Sequence, residues 1–131
     1  MADWYSVKLL HKIIISGLPE QDKLDEFYHN ANEFFEERVV LVQASSFDEA
    51  YRIAEREAKD NNDIYENKYG QIVEHDFYKS LDCYHLFEAP QASAEVYSTF
   101  FSKKQNEDEQ KLLNEKYNSC TIEEMHVLRH A

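Results

Sequence analysis

The sequence predicts an α+β protein with a mostly antiparallel sheet of about five strands, one main helix packed on a face of the sheet, and C-terminal helices. Two observations support this fold class. The apolar run at residues 39–42 is followed by a helix-capping signal and then by apolar residues at helical spacing. Other runs rich in β-branched and aromatic residues, each bounded by turn residues, predict further strands.

The first strand is expected at residues 3–16, where apolar side chains alternate onto one face. Gly17 and Pro19 end it, because proline cannot donate to a strand ladder. Residues 20–32 are polar and acidic, and their pattern fits either a loop or a short helix. The second strand is expected at residues 34–44.

The main helix is expected from residue 46 to about residue 60. The Ser46 hydroxyl is predicted to accept from the Glu49 amide while the Glu49 carboxylate reaches back to Ser46, as in a capping box. The apolar stripe of this helix is expected to be buried against the sheet. Its members are Phe47, Ala50, Tyr51, Ala54 and Ala58.

After a turn at Tyr69-Gly70, two strands are expected at residues 71–78 and 81–88, joined tightly around Lys79-Ser80, and a fifth at 95–101. Helical patterns follow at residues 107–117 and 122–129, the second opened by a capping box. Its residues are Thr121 and Glu124.

The predicted domain organisation is a core of residues 1–102 and a helical extension of the same domain at residues 103–131. Several predicted strands are apolar on both faces, which implies a second covering layer or a dimer contact.

The 14 basic and 26 acidic side chains give a net charge of −12. This charge disfavours nucleic acid and membrane surfaces as partners. Cys83 and Cys120 are far apart and form no CxxC motif, which favours a reducing compartment. The start of the chain lacks the pattern of a signal peptide, and no apolar run approaches the ~18 residues of a membrane span. We therefore expect a cytoplasmic protein.

Only two glycines are present, Gly17 and Gly70. A phosphate-binding loop or a dinucleotide fingerprint needs several, so neither can be built, and no cofactor is expected. His126 and His130 have the i,i+4 spacing that could hold zinc on one helix face. Histidine is also favoured at a helix C-terminus by the dipole, and this second interpretation is preferred, with no metal expected.

Two groups of residues are candidates for catalysis. Cys83 and His85 share a strand face, as a thiolate–imidazolium pair requires, although cysteine on an apolar inward face is the commoner arrangement. Glu74 and Asp76 also share a face, with His75 pointing away, and a solvated strand edge is the preferred interpretation of them. These residues support an alternative function as a small-ligand-binding or hydrolytic enzyme with its site on the sheet.

The leading hypothesis is a non-enzymatic, acidic protein-binding module, such as an inhibitor or immunity-type protein that masks a basic surface on its target. It rests on acidic and aromatic residues concentrated between Glu20 and Glu37. An acidic solubilising loop and a homodimeric structural subunit are the alternatives. The candidate partner-binding residues are Asp22, Asp25, Glu26, Phe27, Tyr28, Glu33, Glu36 and Glu37.

The chain also resembles a family of small bacterial proteins, domain of unknown function 4288, over about residues 3–101. The resemblance implies a bacterial or phage cytosolic α+β domain and no particular activity. It is carried by six blocks, whose order and spacing are more specific than any one of them: residues 4–10 (WYSVKLL), 39–44 (VVLVQA), 46–50 (SFDEA), 65–67 (YEN), 82–84 (DCY) and 95–98 (EVYS).

Overall fold

A four-stranded antiparallel sheet in the order β2-β1-β4-β3 forms the centre of the computed structural model, which describes residues 2–28 and 30–129. The predicted α+β class is confirmed, with four strands in the sheet where about five were expected. The strands are β1 Asp3–Ser16, β2 Phe34–Ala44, β3 Asp63–Glu66 and β4 Ile72–His85. The helices are α1 Phe47–Asp60, α2 Glu109–Tyr117 and α3 Ile122–Leu128, with a 3-10 turn at Gln21–Lys23.

Strand β1 lies at the centre of the sheet because both of its edges are paired. Its pairing with β2 runs from Asp3 opposite Ala44 to Ile13 opposite Phe34 without a shift in register. Its pairing with β4 begins opposite His85 and continues to the end of β1. The predicted strands at residues 3–16 and 34–44 are confirmed.

Helix α1 packs on one face of the sheet through two small residues. Ala50 and Ala54 are fully buried against a core that includes Val7, Leu9 and Val42. Because alanine has no side chain beyond Cβ, the helix backbone can approach the strands closely.

Half of the predicted capping box at the start of α1 is present. The Glu49 amide donates to the Ser46 hydroxyl at 3.1 Å. The prediction of a return bond from the Glu49 carboxylate to Ser46 was wrong. The two Glu49 oxygens accept instead from the amide of Ser45 at 3.2 Å and from its hydroxyl at 2.9 Å. The box predicted before α3 is confirmed in both halves, between Thr121 and Glu124.

The two strands predicted at residues 71–78 and 81–88 are one continuous strand, β4. Two register shifts against β1 leave Tyr78 and Leu81 without a partner residue, on either side of Lys79 and Ser80. These are β-bulges, which bend a strand without ending it. The polar pair was interpreted as a connection, but it lacks the glycine or asparagine that a tight hairpin turn needs.

The prediction of a fifth strand at residues 95–101 was wrong. This segment lies over the sheet face opposite α1, where the Ser6 hydroxyl donates to the Val96 carbonyl. Tyr97 donates to an Asp82 carboxylate oxygen at 2.7 Å, and the Lys8 ammonium lies 5.5 Å from the Tyr97 ring centre. The apolar side chains that alternate in this segment therefore pack onto a sheet face and do not form a strand. The segment is part of the second covering layer that was one of the two explanations for strands with two apolar faces.

Strand β3 was not predicted from the sequence. The turn at Tyr69-Gly70, which joins β3 to β4, was predicted. The Asn67 side-chain oxygen accepts from the amides of Tyr69 and Gln71, both at 3.0 Å. Gly70 has φ +79°, a left-handed conformation that glycine adopts without strain. This turn holds β3 against β4 and, as described below, anchors the acidic loop.

The Leu9→Ala variant tests the core. Leu9 is 2% exposed, whereas Leu18 is 91% exposed. We expect Leu9→Ala to lower the free energy of unfolding by about 2–5 kcal/mol, because it removes buried methyl groups and leaves a cavity. Leu18→Ala, the matched control, should change it by less than about 0.5 kcal/mol. Urea denaturation measures both, and equal losses would contradict the assigned core.

Candidate functional site

The loop between β1 and β2 carries most of the predicted partner-binding residues, and Asp25 anchors it to the β3–β4 turn. One Asp25 oxygen accepts from the Tyr69 hydroxyl at 2.7 Å and from the Phe27 amide at 3.0 Å. The other oxygen lies 2.5 Å from the Lys68 ammonium. The Lys68 hydrogen bond, followed by that of Tyr69, lowers the pKa of Asp25 to about 2. Asp25 therefore stays ionised and holds the loop in place.

Further contacts reinforce this anchor. The Glu20 amide donates to the Tyr69 carbonyl at 2.7 Å, and the rings of Tyr28 and Tyr69 meet edge to face with centres 4.9 Å apart. The Lys68 ammonium lies 5.5 Å from the Phe27 ring centre. Burial, followed by the hydrogen bond to Asp25, raises the pKa of Tyr69. The loop is therefore fixed at several points rather than loosely attached.

Asp22, Glu26, Phe27 and Glu33 of the anchored loop are exposed to solvent, and we call these four residues the acidic surface. Phe27 is 43% exposed although its ring contacts Lys68. An exposed aromatic ring in a loop that also exposes carboxylates offers an apolar contact together with a negative potential.

The last two predicted partner-binding residues, Glu36 and Glu37, lie on opposite faces of β2. Glu37 points away from α1 and pairs with Lys8 at 3.3 Å. Glu36 points to the α1 side, where it pairs with Arg38 and His75. Strand alternation separates them, so the eight predicted residues do not form one continuous surface.

A group that we call the polar cluster lies on the α1 side of the sheet, beyond the C-terminal end of the helix. Its members come from three strands: Glu36 and Arg38 from β2, Asp63 and Tyr65 from β3, and His75 from β4. Arg38 Nη2 donates to Glu36 Oε1 at 2.7 Å and to Asp63 Oδ2 at 2.8 Å. His75 Nδ1 donates to the same Glu36 oxygen at 3.0 Å.

Tyr65 connects this cluster to the C-terminal helix. Its hydroxyl lies 2.9 Å from His75 Nε2 and donates to the Leu128 carbonyl at the end of α3. Burial, followed by the nearby Glu36 and Asp63 charges, raises the pKa of Tyr65 to about 12. Tyr65 therefore remains a neutral donor at physiological pH.

The charge on Glu36 is compensated within the cluster. Its burial acts to raise the pKa, but the His75 hydrogen bond and the Arg38 charge outweigh burial, so the pKa of Glu36 lies below its ordinary value. His11 lies beside the cluster and is 1% exposed. Burial, followed by the Arg38 charge, lowers the pKa of His11 and keeps it neutral. Its Nδ1 has no partner among the described residues.

Two clefts open at the polar cluster, on either side of the end of α3. Their volumes are about 420 Å³ and 390 Å³. Both are lined by Glu36, His75, Leu128 and Arg129. The cluster's charged groups bind one another across three strands, so its main physical effect is to join β2, β3 and β4 on the α1 side.

Of the polar cluster, only Glu36 was among the predicted partner-binding residues, and His75 was interpreted as pointing away from Glu74 and Asp76. One sequence signal could have indicated part of the polar cluster: the period of two in β2 places Glu36 and Arg38 on the same face as the buried Val42. The partners on β3 and β4 depend on the strand order.

Cys83 and His85 lie on one face of β4, as expected, but they serve different contacts. Cys83 packs against the core, and burial, followed by the Asp82 charge, raises the pKa of its thiol to about 11. The His85 ring stacks on Tyr5 with centres 4.8 Å apart, and its Nε2 lies 3.2 Å from Asp3 Oδ2. No hydrogen bond joins the Cys83 thiol to the His85 ring in the described part of the chain.

Glu74 and Asp76 lie on the sheet face away from α1, where Asp76 is opposite Lys12 on β1. His75, between them, is opposite Ile13 and points to the α1 side. The structure therefore brings neither carboxylate to the histidine.

Of the predicted histidine pair, His126 and His130, the second lies outside the described residues. Within residues 2–28 and 30–129, no group of three or more histidine, cysteine, aspartate or glutamate side chains has the arrangement to hold a metal ion. None of the helices in this part of the chain has the length and apolarity needed to cross a bilayer.

A family model described as "Domain of unknown function (DUF4288)" matches residues 4–98, which run from β1 to the segment over the opposite sheet face. No curated protein and no solved structure matches the chain. The resemblance inferred from the six sequence blocks is confirmed.

Glu36→Gln tests the polar cluster, with Glu37→Gln as the neighbouring control. The Glu36 side chain is 31% exposed and that of Glu37 is 60% exposed. We expect Glu36→Gln to lower the free energy of unfolding by about 1–2 kcal/mol at neutral pH, since it leaves Arg38 and His75 without their shared anion. Glu37→Gln should cost less than about 0.5 kcal/mol.

The effect of Glu36→Gln should depend on pH. Because the pKa of Glu36 is lowered in the folded state, its contribution to stability is present above its unfolded pKa. That contribution is lost as the pH falls through the folded value. Urea denaturation at neutral and acidic pH should show the gap between wild type and variant closing in acid, and a gap independent of pH would contradict this role.

Variants at the loop anchor should release the acidic loop. We expect Lys68→Met and Tyr69→Phe each to speed cleavage after Glu26 by a glutamate-specific protease at least about threefold, because each removes a hydrogen bond to Asp25. Lys104→Met, on an exposed position elsewhere, is the control. Cleavage as slow as that of wild type in both anchor variants would show that Asp25 does not hold the loop.

Proposed function

Because the chain belongs to the DUF4288 family, whose description names no activity, we propose from its own residues that it is a non-enzymatic module that binds a basic surface on another protein. An inhibitor or immunity-type role fits this chemistry, since such proteins act by masking a target. The net charge of −12 opposes binding to nucleic acid or anionic membranes, so the expected partner is a protein.

The acidic surface is the observation that carries this proposal. Asp22, Glu26 and Glu33 are exposed to solvent in the same loop as the half-exposed Phe27. Negative charge accelerates encounter with a basic partner, and a central aromatic side chain provides the apolar anchor typical of binding hot spots. Since Asp25 fixes the loop before binding, less conformational entropy is lost when a partner docks.

The alternative, a small-ligand-binding or hydrolytic enzyme, has less support. A cysteine nucleophile needs a thiolate, and the raised pKa of about 11 keeps Cys83 protonated at neutral pH. Glu74 and Asp76 point away from the sheet face that carries His75 and His85. The clefts beside α3 could admit a small molecule, but the polar-cluster groups that line them are already bound to one another.

The proposed setting is the reducing cytoplasm of a bacterium, or of a bacterium infected by a phage that encodes the protein. Cys83 and Cys120 are both unpaired thiols, as expected in a reducing compartment. The bacterial assignment rests on the family resemblance alone.

Partner capture with matched charge variants tests the proposal. The immobilised wild-type protein should retain a stoichiometric protein partner from a host lysate at low salt. We expect Asp22→Asn/Glu26→Gln/Glu33→Gln to weaken its affinity roughly tenfold, mainly through slower association. The control Glu107→Gln/Glu115→Gln/Glu123→Gln removes the same charge from other exposed positions and should have little effect.

Phe27→Ala should cost at least about 1 kcal/mol of binding free energy if the ring is the anchor, measured by calorimetry with the purified partner. Absence of a stoichiometric partner at low and moderate salt would contradict the proposed function. Equal affinities of the two triple variants would also contradict it.

A further inference from the structure

The outer edge of β2 is a long strand edge with no partner strand. Strand β2 has eleven residues, whereas β3, at the other edge of the sheet, has four. In the described part of the chain, residues 35–43 make no backbone hydrogen bonds to any segment other than β1. Natural proteins usually protect such edges, because unpaired amides and carbonyls can pair with another chain.

Most of the usual protective features are missing from β2. The strand contains no proline and no lysine, and its register with β1 has no bulge. Inward-pointing charges, Glu36 and Arg38, protect only its first half. In the second half the outward face presents Val39 and Leu41, which are 43% and 42% exposed. This half of the edge is suited to pairing.

We propose that β2 pairs antiparallel with β2 of a second copy of this chain, with Val40 on the two-fold axis. The two four-stranded sheets then join into one continuous sheet. Val39 lies opposite Leu41 of the second copy, and Glu37 lies opposite Gln43. The contact is isologous, as in most homodimers.

The side-chain pattern of β2 selects this register. Moving the axis to Val39 places Leu41 opposite Glu37, and moving it to Arg38 places two guanidinium groups opposite each other. Of these three registers, only the axis at Val40 pairs apolar residues with apolar ones and polar residues with polar ones on the outward face between residues 37 and 43. Directly opposed pairs are the main source of sheet stabilisation.

The net charge of −12 does not prevent this pairing, because antiparallel symmetry keeps the acidic ends apart. In this register the two copies of Glu37 are six strand positions apart, about 20 Å. This distance exceeds the Debye length of about 8 Å at physiological ionic strength. Glu36 is compensated by Arg38 and His75 within its own chain.

The long-range repulsion that remains between the two acidic chains should make the dimer affinity depend on salt concentration. Added salt should strengthen the dimer, whereas it should weaken binding of a basic partner to the acidic surface. The two proposals can therefore fail independently. A strand-edge contact is smaller than a standard interface, so dimerisation in the micromolar range is expected.

Sedimentation equilibrium of the full chain at low and high salt tests the proposal. We expect a reversible dimer that is stronger at high salt and weakened at least about a hundredfold by Val39→Lys/Leu41→Lys, which sets like charges opposite each other. Ile64→Lys on the β3 edge, an exposed control, should leave dimerisation unchanged. Circular dichroism checks that each variant is folded.

A disulfide test reports the register directly. In a Cys83→Ala/Cys120→Ser background, Val40→Cys should form a linked dimer rapidly, because opposed antiparallel residues have Cα atoms about 4.5–5.5 Å apart. Ile64→Cys should link much more slowly. A wild-type monomer at high salt, a double-lysine variant that still dimerises, or equal linking rates of the two cysteine variants would each overturn the proposal.

Discussion

The pairing of β1 along both of its edges is the constraint on which the rest of the structure depends. Once β1 is bound to β2 on one side and β4 on the other, strand alternation, interrupted in β4 at its two bulges, assigns the paired side chains of the three strands to one of two faces. One face carries the alanine-lined packing of α1 and then, beyond the helix, the polar cluster. The other carries the segment that buries Ser6 and, towards β2, an exposed apolar strip.

The acidic residues before and at the start of β2 include two groups with different physical roles. Asp25 and Glu36 form hydrogen-bonded ion pairs, and the pKa of each is lowered by its partners. They hold the loop and the strands in place. Asp22, Glu26 and Glu33 are exposed to solvent and form no ion pair within residues 2–28 and 30–129. A charge that is already paired within the fold gains little from a new partner, so the unpaired group is the one suited to recognition.

Much of the fold could be predicted from local patterns, and the errors came from long-range packing. Alternation located β1 and β2, and capping signals located α1 and α3. The bulges at Tyr78 and Leu81 depend on register against β1, which has no local signal. The polar cluster could not be predicted because Glu36 and His75 are 39 residues apart in the chain and meet only through the strand order. Alternation alone did predict that His75 points away from Glu74 and Asp76.

The central claim is that Asp25 and Glu36 are structural ions, each held in the fold by hydrogen bonds to its own partners. An NMR pH titration of the side-chain carboxyl carbons measures this directly, residue by residue. The account predicts that Asp25 titrates at a pKa of about 2 and that Glu36 titrates below its ordinary value. Titration of both carboxyl groups at the ordinary values of exposed aspartate and glutamate would contradict it.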